Sequence, residues 1–286
     1  MTYRVDVPEA ARGTGMRRGI DLLARQMDSR QPVLGAFSLA GFPDYRYGVE
    51  ALVAYAHNGA TVLEVGVPTV NPWLDGPVIA AAHRDAMRAG HGVGATLRTV
   101  ERVSALTGEP VVVMSYWATV KAHGPWRMAH ELASAGAAGC LVPDVPAERV
   151  PDWAAAAADA RISAPLLASR EASPAELSAA CRAATGFIYA PAAAGQRTGY
   201  LSGIDLDRLS SFVAMVRRAA PSTPVVSGIG VSTPAMAAAV VEQADVSGVV
   251  VGSPLVRAFN KGGVSSAAAL VAEFVASMAR PSGAAR

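Results

Sequence analysis

Eight short apolar runs rich in β-branched residues punctuate the chain, at residues 33–39, 61–67, 111–116, 138–143, 164–168, 186–190, 223–227 and 247–251. Helical periodicity fills the intervals, at about 46–58, 77–106 (long enough for two helices), 125–136, 147–160, 174–184, 206–219, 233–242 and 254–279. Strands separated by helices pair in parallel, because a parallel neighbour is reached only by a crossover. Eight such units in 286 residues predict an α/β fold of the closed (β/α)8 TIM-barrel class. An open doubly wound sheet fits less well, since no Gly-x-Gly-x-x-Gly fingerprint follows the first run. Ser173-Pro174 and Ser232-Thr233-Pro234 pair a capping hydroxyl with a first-turn proline and mark helix starts. No linker or low-complexity stretch divides the chain, which predicts one domain over residues 1–286 with frayed ends at about 1–15 and 279–286.

Composition narrows the partners. With 51% hydrophobic and 17% charged residues the chain can bury one large core, and a net charge of +2 without basic runs argues against nucleic acid or an anionic membrane surface. Small molecules or proteins are the expected partners. No uninterrupted apolar stretch has the length of a membrane span, and Met1 to Met16 carries Asp6 and Glu9 without an apolar core, unlike a secretory signal. Cys140 and Cys181 have neither metal spacing nor a disulfide framework and are expected to be buried thiols of a cytoplasmic protein. His57, His83, His91, His123 and His130 do not pair at metal-ligand spacing, so no metal is expected.

One run carries an acid. Thr61 to Val67 has the makeup of a strand buried on both faces, yet Glu64 lies within it, and Asp75 lies on the loop that follows. Burial raises a carboxyl pKa towards neutrality and makes it a usable proton carrier; a structural Glu satisfied by backbone donors is the alternative. In a barrel the chemistry sits at the C-terminal strand ends. Tyr116, Asp144 and Tyr189 fall at such ends, as do the glycine turns Ser227 to Ser232 and Gly252-Ser253, each just before a helix. Glycines let backbone N–H groups approach an anion and the helix N-terminus adds partial positive charge, which suits a phosphate. Gly195 to Gly199 could add donors. Trp73 and Trp117 lie near this mouth, Trp126 and Trp153 have the setting of packing residues, and Arg170-Glu171 resembles a solvated pair.

Leu63-Glu64-Val65-Gly66-Val67-Pro68, followed by Asn71-Pro72 and Asp75-Gly76-Pro77, resembles the signature of the tryptophan synthase α-subunit family. Phe37 to Pro43, Leu141 to Pro146, Phe187 to Tyr189, Gly228 to Pro234 and Gly252-Ser253 continue the resemblance in order, over roughly residues 17–279. It implies retro-aldol cleavage of indole-3-glycerol phosphate to indole and glyceraldehyde 3-phosphate, by a carbon-carbon lyase that uses no metal or organic cofactor. By the family's pattern Glu64 is the acid–base carboxylate, Asp75 holds the indole N–H and Tyr189 positions Glu64 or the glycerol chain. Phe37, Tyr116, Leu141 and Ile229 wall the ring, with Thr198 on the strand-six loop, and Gly199, Gly230, Gly252 and Ser253 hold the phosphate.

The chain departs from the family's pattern at several loops, of which the one carrying Thr69 to Pro72 touches the β-subunit in the family. Thr69-Val70-Asn71-Pro72 replaces a usual Phe-Ser-Asp-Pro, Tyr116-Trp117-Ala118-Thr119 lacks a common Asn-Pro, and Val78 to Ala81 lacks a usual Gln. The strand-six loop lacks the family's Ser and is longer by one residue. The expected function is therefore a stand-alone or divergent lyase. A conventional α-subunit acting with a pyridoxal-phosphate β-subunit, and a weakly or non-catalytic protein that binds phosphate ligands, are the alternatives.

Overall fold

A computed structural model describes residues 19–193 and 203–279. Its eight strands are β1 (Val33–Leu39), β2 (Val62–Gly66), β3 (Val111–Met114), β4 (Gly139–Leu141), β5 (Leu166–Leu167), β6 (Ile188–Pro191), β7 (Val225–Gly228) and β8 (Gly248–Val251). All pair in parallel, in the order β4-β3-β2-β1-β8-β7-β6-β5. The two ends meet at a bridge from Gly139 to Ser163, where Cys140 N–H donates to the Ser163 carbonyl at 2.9 Å and Ser163 N–H to the Ala138 carbonyl at 2.9 Å. The sheet is thus a nearly closed (β/α)8 barrel, and each expected strand is present.

Every residue of β1 to β4 is buried, yet the two-residue period still sorts them. Leu34, Ala36, Leu63, Val65, Val111 and Val113 pack outward against the helices, whereas Val33, Phe37, Val62, Val112 and Met114 fill the barrel interior. Glu64 has the parity of Val62 and Phe37 lies beside it in register, so the acid points inward.

The helices are α1 (Gly19–Met27), α2 (Tyr45–His57), α3 (Pro77–Arg88), α4 (Val93–Thr107), α5 (Trp117–His123), α6 (Pro125–Ser134), α7 (Val150–Ala160), α8 (Pro174–Ala183), α9 (Leu206–Ala219), α10 (Pro234–Gln243) and α11 (Ser253–Met278), the last interrupted at Gly262 and Gly263. The expected interval 77–106 is α3 and α4. Ser173 caps α8 in a reciprocal box with Glu176, and Thr233 caps α10, each followed by proline. Two helices lie outside the sequence expectation. Helix α1 covers the N-terminal end of the barrel, where Leu23 and Met27 pack with Val33, Ala138 and Phe187 at the strand starts. Helix α5 follows directly on β3. Trp153 is fully buried, whereas Trp126 is 51% exposed and so is not the packing residue expected. Cys140 and Cys181 are free and buried. The expected frayed ends at about 1–15 and 279–286 lie outside the described residues, apart from Ala279. Among those residues no helix is long and apolar enough to cross a membrane.

Candidate active site

The C-terminal strand ends surround an apolar slot. Phe37, Leu141, Met114, Leu167, Ile229 and Val250 form most of its walls, Glu64, Asp75 and Tyr189 bring its polar groups, and Gly230, Gly252 and Ser253 lie at its rim. The parallel register builds it, because Phe37, Glu64 and Val112 are adjacent on β1, β2 and β3 and Met114 lies one inward position further up. Expected site residues from four strands are brought together. Thr198 and Gly199 lie outside the described residues.

Glu64 is 5% exposed, and burial first, then the Asp75 charge, pushes its carboxyl up to about 8. It therefore carries a proton at neutral pH and can give it up and take it back. Asp75 sits at the end of the loop from β2, just ahead of Gly76 and Pro77, which open α3. Its Oδ2 accepts the Tyr116 hydroxyl at 2.7 Å, and the Tyr116 oxygen accepts Leu74 N–H at 3.2 Å. Tyr116 thus departs from its expected place: it stands behind Asp75 rather than on the slot wall, and burial with the Asp75 charge holds its hydroxyl well above the usual range. Tyr189 is buried beside Glu64, and desolvation first and the Glu64 charge second raise its hydroxyl. Its ring reaches over β7, where a Cβ on Gly228 would lie 1.9 Å from the Tyr189 oxygen, so only glycine fits there. The Ile229 backbone N–H meets that oxygen.

Ile229 holds this turn at a cost. Its φ is 46°, a left-handed conformation that a β-branched residue rarely adopts, and Gly230 follows at φ 111°. The turn is fixed by Ala192 N–H on the Gly228 carbonyl at 2.7 Å and Ala193 N–H on the Ile229 carbonyl at 2.9 Å. Across the mouth Ser253 begins α11 behind Gly252, and no side chain caps that helix end. Pro254 has no N–H, and the Leu255 and Val256 N–H groups return to the Gly252 carbonyl at 2.9 and 3.1 Å, so it is the Ser253 N–H and the partial positive charge of the helix end that an anion at this rim would gain from.

Other contacts were not foreseen. Arg170 is no solvated partner of Glu171: its guanidinium donates to the Pro191 carbonyl at 2.9 and 3.2 Å and the Ala192 carbonyl at 3.2 Å, and lies 5.1 Å over the Phe212 ring. Asp144 ties the mouth together, accepting Trp117 N–H at 2.6 Å and the Trp73 indole N–H at 3.2 Å. His83, 1% exposed on α3, accepts Thr69 N–H on Nδ1 at 3.1 Å and places Nε2 at 3.3 Å from Asp75 Oδ2. The stripe Ile79, Ala82, His83, Ala86 is the buried face of α3, and a histidine on that apolar stripe was the signal in the sequence. Among the described residues no three His, Cys, Asp or Glu side chains gather as a metal site.

A parallel barrel that assembles a proton-carrying carboxyl, a second carboxylate and glycine-containing turns around an apolar slot is built as a barrel lyase. The family model described as "Tryptophan synthase alpha chain" matches residues 23–281. The tryptophan synthase alpha chain of Leifsonia xyli is 35% identical over 258 residues, covering 90% of this chain and 97% of that one, and that of Streptomyces coelicolor is 38% identical over 242 residues, covering 83% and 86%. A solved structure of Mycobacterium tuberculosis tryptophan synthase superposes with a TM-score of 0.83 at 32% identity, covering 92% of this chain and 99% of that one. The chain belongs to the tryptophan synthase alpha chain family, and its enzyme class is that of a carbon–carbon lyase.

Proposed function

We propose that the chain cleaves indole-3-glycerol phosphate by retro-aldol reaction and does so without a partner subunit. The observation that carries the chemistry is Glu64, a buried carboxyl raised to about 8 beside Asp75 on the wall of an apolar slot. The indole C3 carbanion is a poor leaving group, so C3 is protonated first. Glu64 gives its proton to C3, and the ring becomes an indolenine cation. The bond from C3 to the glycerol carbon then breaks with its electron pair returning to the ring, while the adjacent hydroxyl loses its proton to the Glu64 carboxylate and becomes the aldehyde. Glu64 ends protonated, as it began. Asp75 accepts the indole N–H and stabilises the ring cation, an interaction strengthened by exclusion of water. Tyr116 fixes the Asp75 carboxylate, and Tyr189 places the glycerol chain against Glu64. Phe37, Leu141 and Ile229 bracket the ring, and the amides of Gly230, Gly252 and Ser253 take the phosphate.

Independence from a partner rests on the β2–α3 loop, which the chain itself anchors at Trp73, Leu74 and Asp75 through Asp144 and Tyr116. A partner-dependent α-subunit is the second reading, and it is favoured by Val70 and Trp73, 84% and 48% exposed on the same loop. Steady-state release of indole from indole-3-glycerol phosphate by the purified chain separates the two. Turnover by the lone chain that Glu64→Gln and Asp75→Asn each lower by about a hundredfold or more supports the autonomous lyase. Silence that a tryptophan synthase β-subunit relieves supports the second reading. Silence in both conditions rejects this substrate.

A further inference from the structure

We propose that His83 is a positioning residue for Asp75, joining the backbone of the β2–α3 loop to the carboxylate that meets the indole N–H. The inference rests on the reaction proposed above. A helical side chain leans towards the N-terminus of its helix, so His83, in the second turn of α3, lies over the loop that opens the helix. There it is enclosed, and its two nitrogens have different tasks. Nδ1 accepts the Thr69 N–H at 3.1 Å, so Nδ1 is the unprotonated nitrogen and the ring proton resides on Nε2. Nε2 lies 3.3 Å from Asp75 Oδ2 without full hydrogen-bond alignment, and no other hydrogen-bond partner meets it among the described residues. A buried N–H costs free energy when it is left unpaired, which draws the ring and the carboxylate together.

Asp75 Oδ2 is also the atom that accepts the Tyr116 hydroxyl at 2.7 Å, and the His83 and Tyr116 rings stand edge to face with centroids 6.4 Å apart. Two donors from different elements, β3's end and α3, thus converge on one carboxylate oxygen. This sets the rotation of the carboxylate about its Cβ–Cγ bond and hence the direction in which it meets the substrate. It also makes the position of Asp75 depend on Thr69. A displacement of that backbone is passed through a rigid ring to the carboxylate.

The test is a series at position 83 read by kcat and KM separately with indole-3-glycerol phosphate. In His83→Gln the amide nitrogen reaches the place of Nε2; in His83→Asn the amide oxygen reaches the place of Nδ1 but nothing reaches Asp75; His83→Leu removes both contacts. Positioning of Asp75 predicts that Gln loses no more than about threefold in kcat, while Asn and Leu lose about ten- to a hundredfold with KM changed little. Asn retaining full kcat while only Leu falls would overturn the proposal, since the loop contact and packing would then suffice. A second measurement does not need turnover. In protein labelled with 15N-histidine the His83 ring should give the Nε2–H tautomer, and Asp75→Asn should shift its Nε2 resonance; the opposite tautomer or an unmoved resonance rejects the contact. If the wild-type chain proves silent towards indole-3-glycerol phosphate both alone and with a tryptophan synthase β-subunit, the reaction is wrong while these resonances still decide whether His83 holds Asp75.

Discussion

A carboxyl placed inside a barrel must be neutral or paired, and Glu64 is kept neutral by its surroundings over much of the physiological range. Its ordinary value of 4.5 is raised to about 8 in the folded chain, so the native state binds the proton more tightly than the unfolded one. The associated stability is fully present below about pH 4.5 and is lost as pH rises through about 8, a difference on the order of a few kcal/mol. Glu64→Gln removes the titration. Its melting temperature should vary less between about pH 5 and pH 9 than that of the parent, and calorimetry across that window checks it. Equal pH slopes in the two proteins would mean that Glu64 titrates normally. Glu64 was legible because an acid interrupts an otherwise apolar β-branched run. The apolar stripe of α3 signals that His83 is buried, but its task and the true place of Tyr116 were not legible, because each is set by a contact with Thr69, Leu74 or Asp75 across a loop whose path periodicity does not encode.

At the scale of elements, the alternation of runs was enough to place eight strands, since each is a short apolar segment whose pattern the barrel needs. The exceptions have local reasons. Strand β5 shrinks to Leu166–Leu167 because Pro165 lacks the N–H a ladder needs. Helix α5 was hidden because Tyr116, Trp117, Thr119 and Val120 have strand-like composition and continue the run of β3. Helix α1 spans nine residues and would be marginal alone; it is made by what it covers. Leu23, fully buried against the strand starts, is the side chain that joins it to the barrel. Leu23→Ala should cost about 2–5 kcal/mol in urea unfolding, by lost transfer free energy and a residual cavity, with KM for indole-3-glycerol phosphate unchanged because the slot is at the opposite end. A change in KM with unaltered stability would mean that α1 does not serve as this cover.

At the scale of the whole molecule, the barrel lets one slot join an apolar floor built from strand interiors to a rim built from turns and a helix end. The two parts make opposite demands on charge. The α11 N-terminus favours any negative group, whether a bound phosphate or an acidic side chain. Ser253, the first residue of that helix and part of the slot rim, separates these effects when it is replaced by Asp. The helix end attracts the new carboxylate, which should leave the ligand-free melting temperature within about 2 °C of the parent. The same carboxylate occupies the electrostatic place of the phosphate and repels it. Glyceraldehyde 3-phosphate at about a hundred times its Kd should stabilise the parent by about 2.7 kcal/mol, which for a chain of this size is roughly 5–10 °C. In Ser253→Asp that shift should vanish while the protein remains folded, as thermal unfolding with and without the ligand would reveal. An unchanged shift would move the phosphate away from the α11 terminus and towards the Gly230 turn on the same rim.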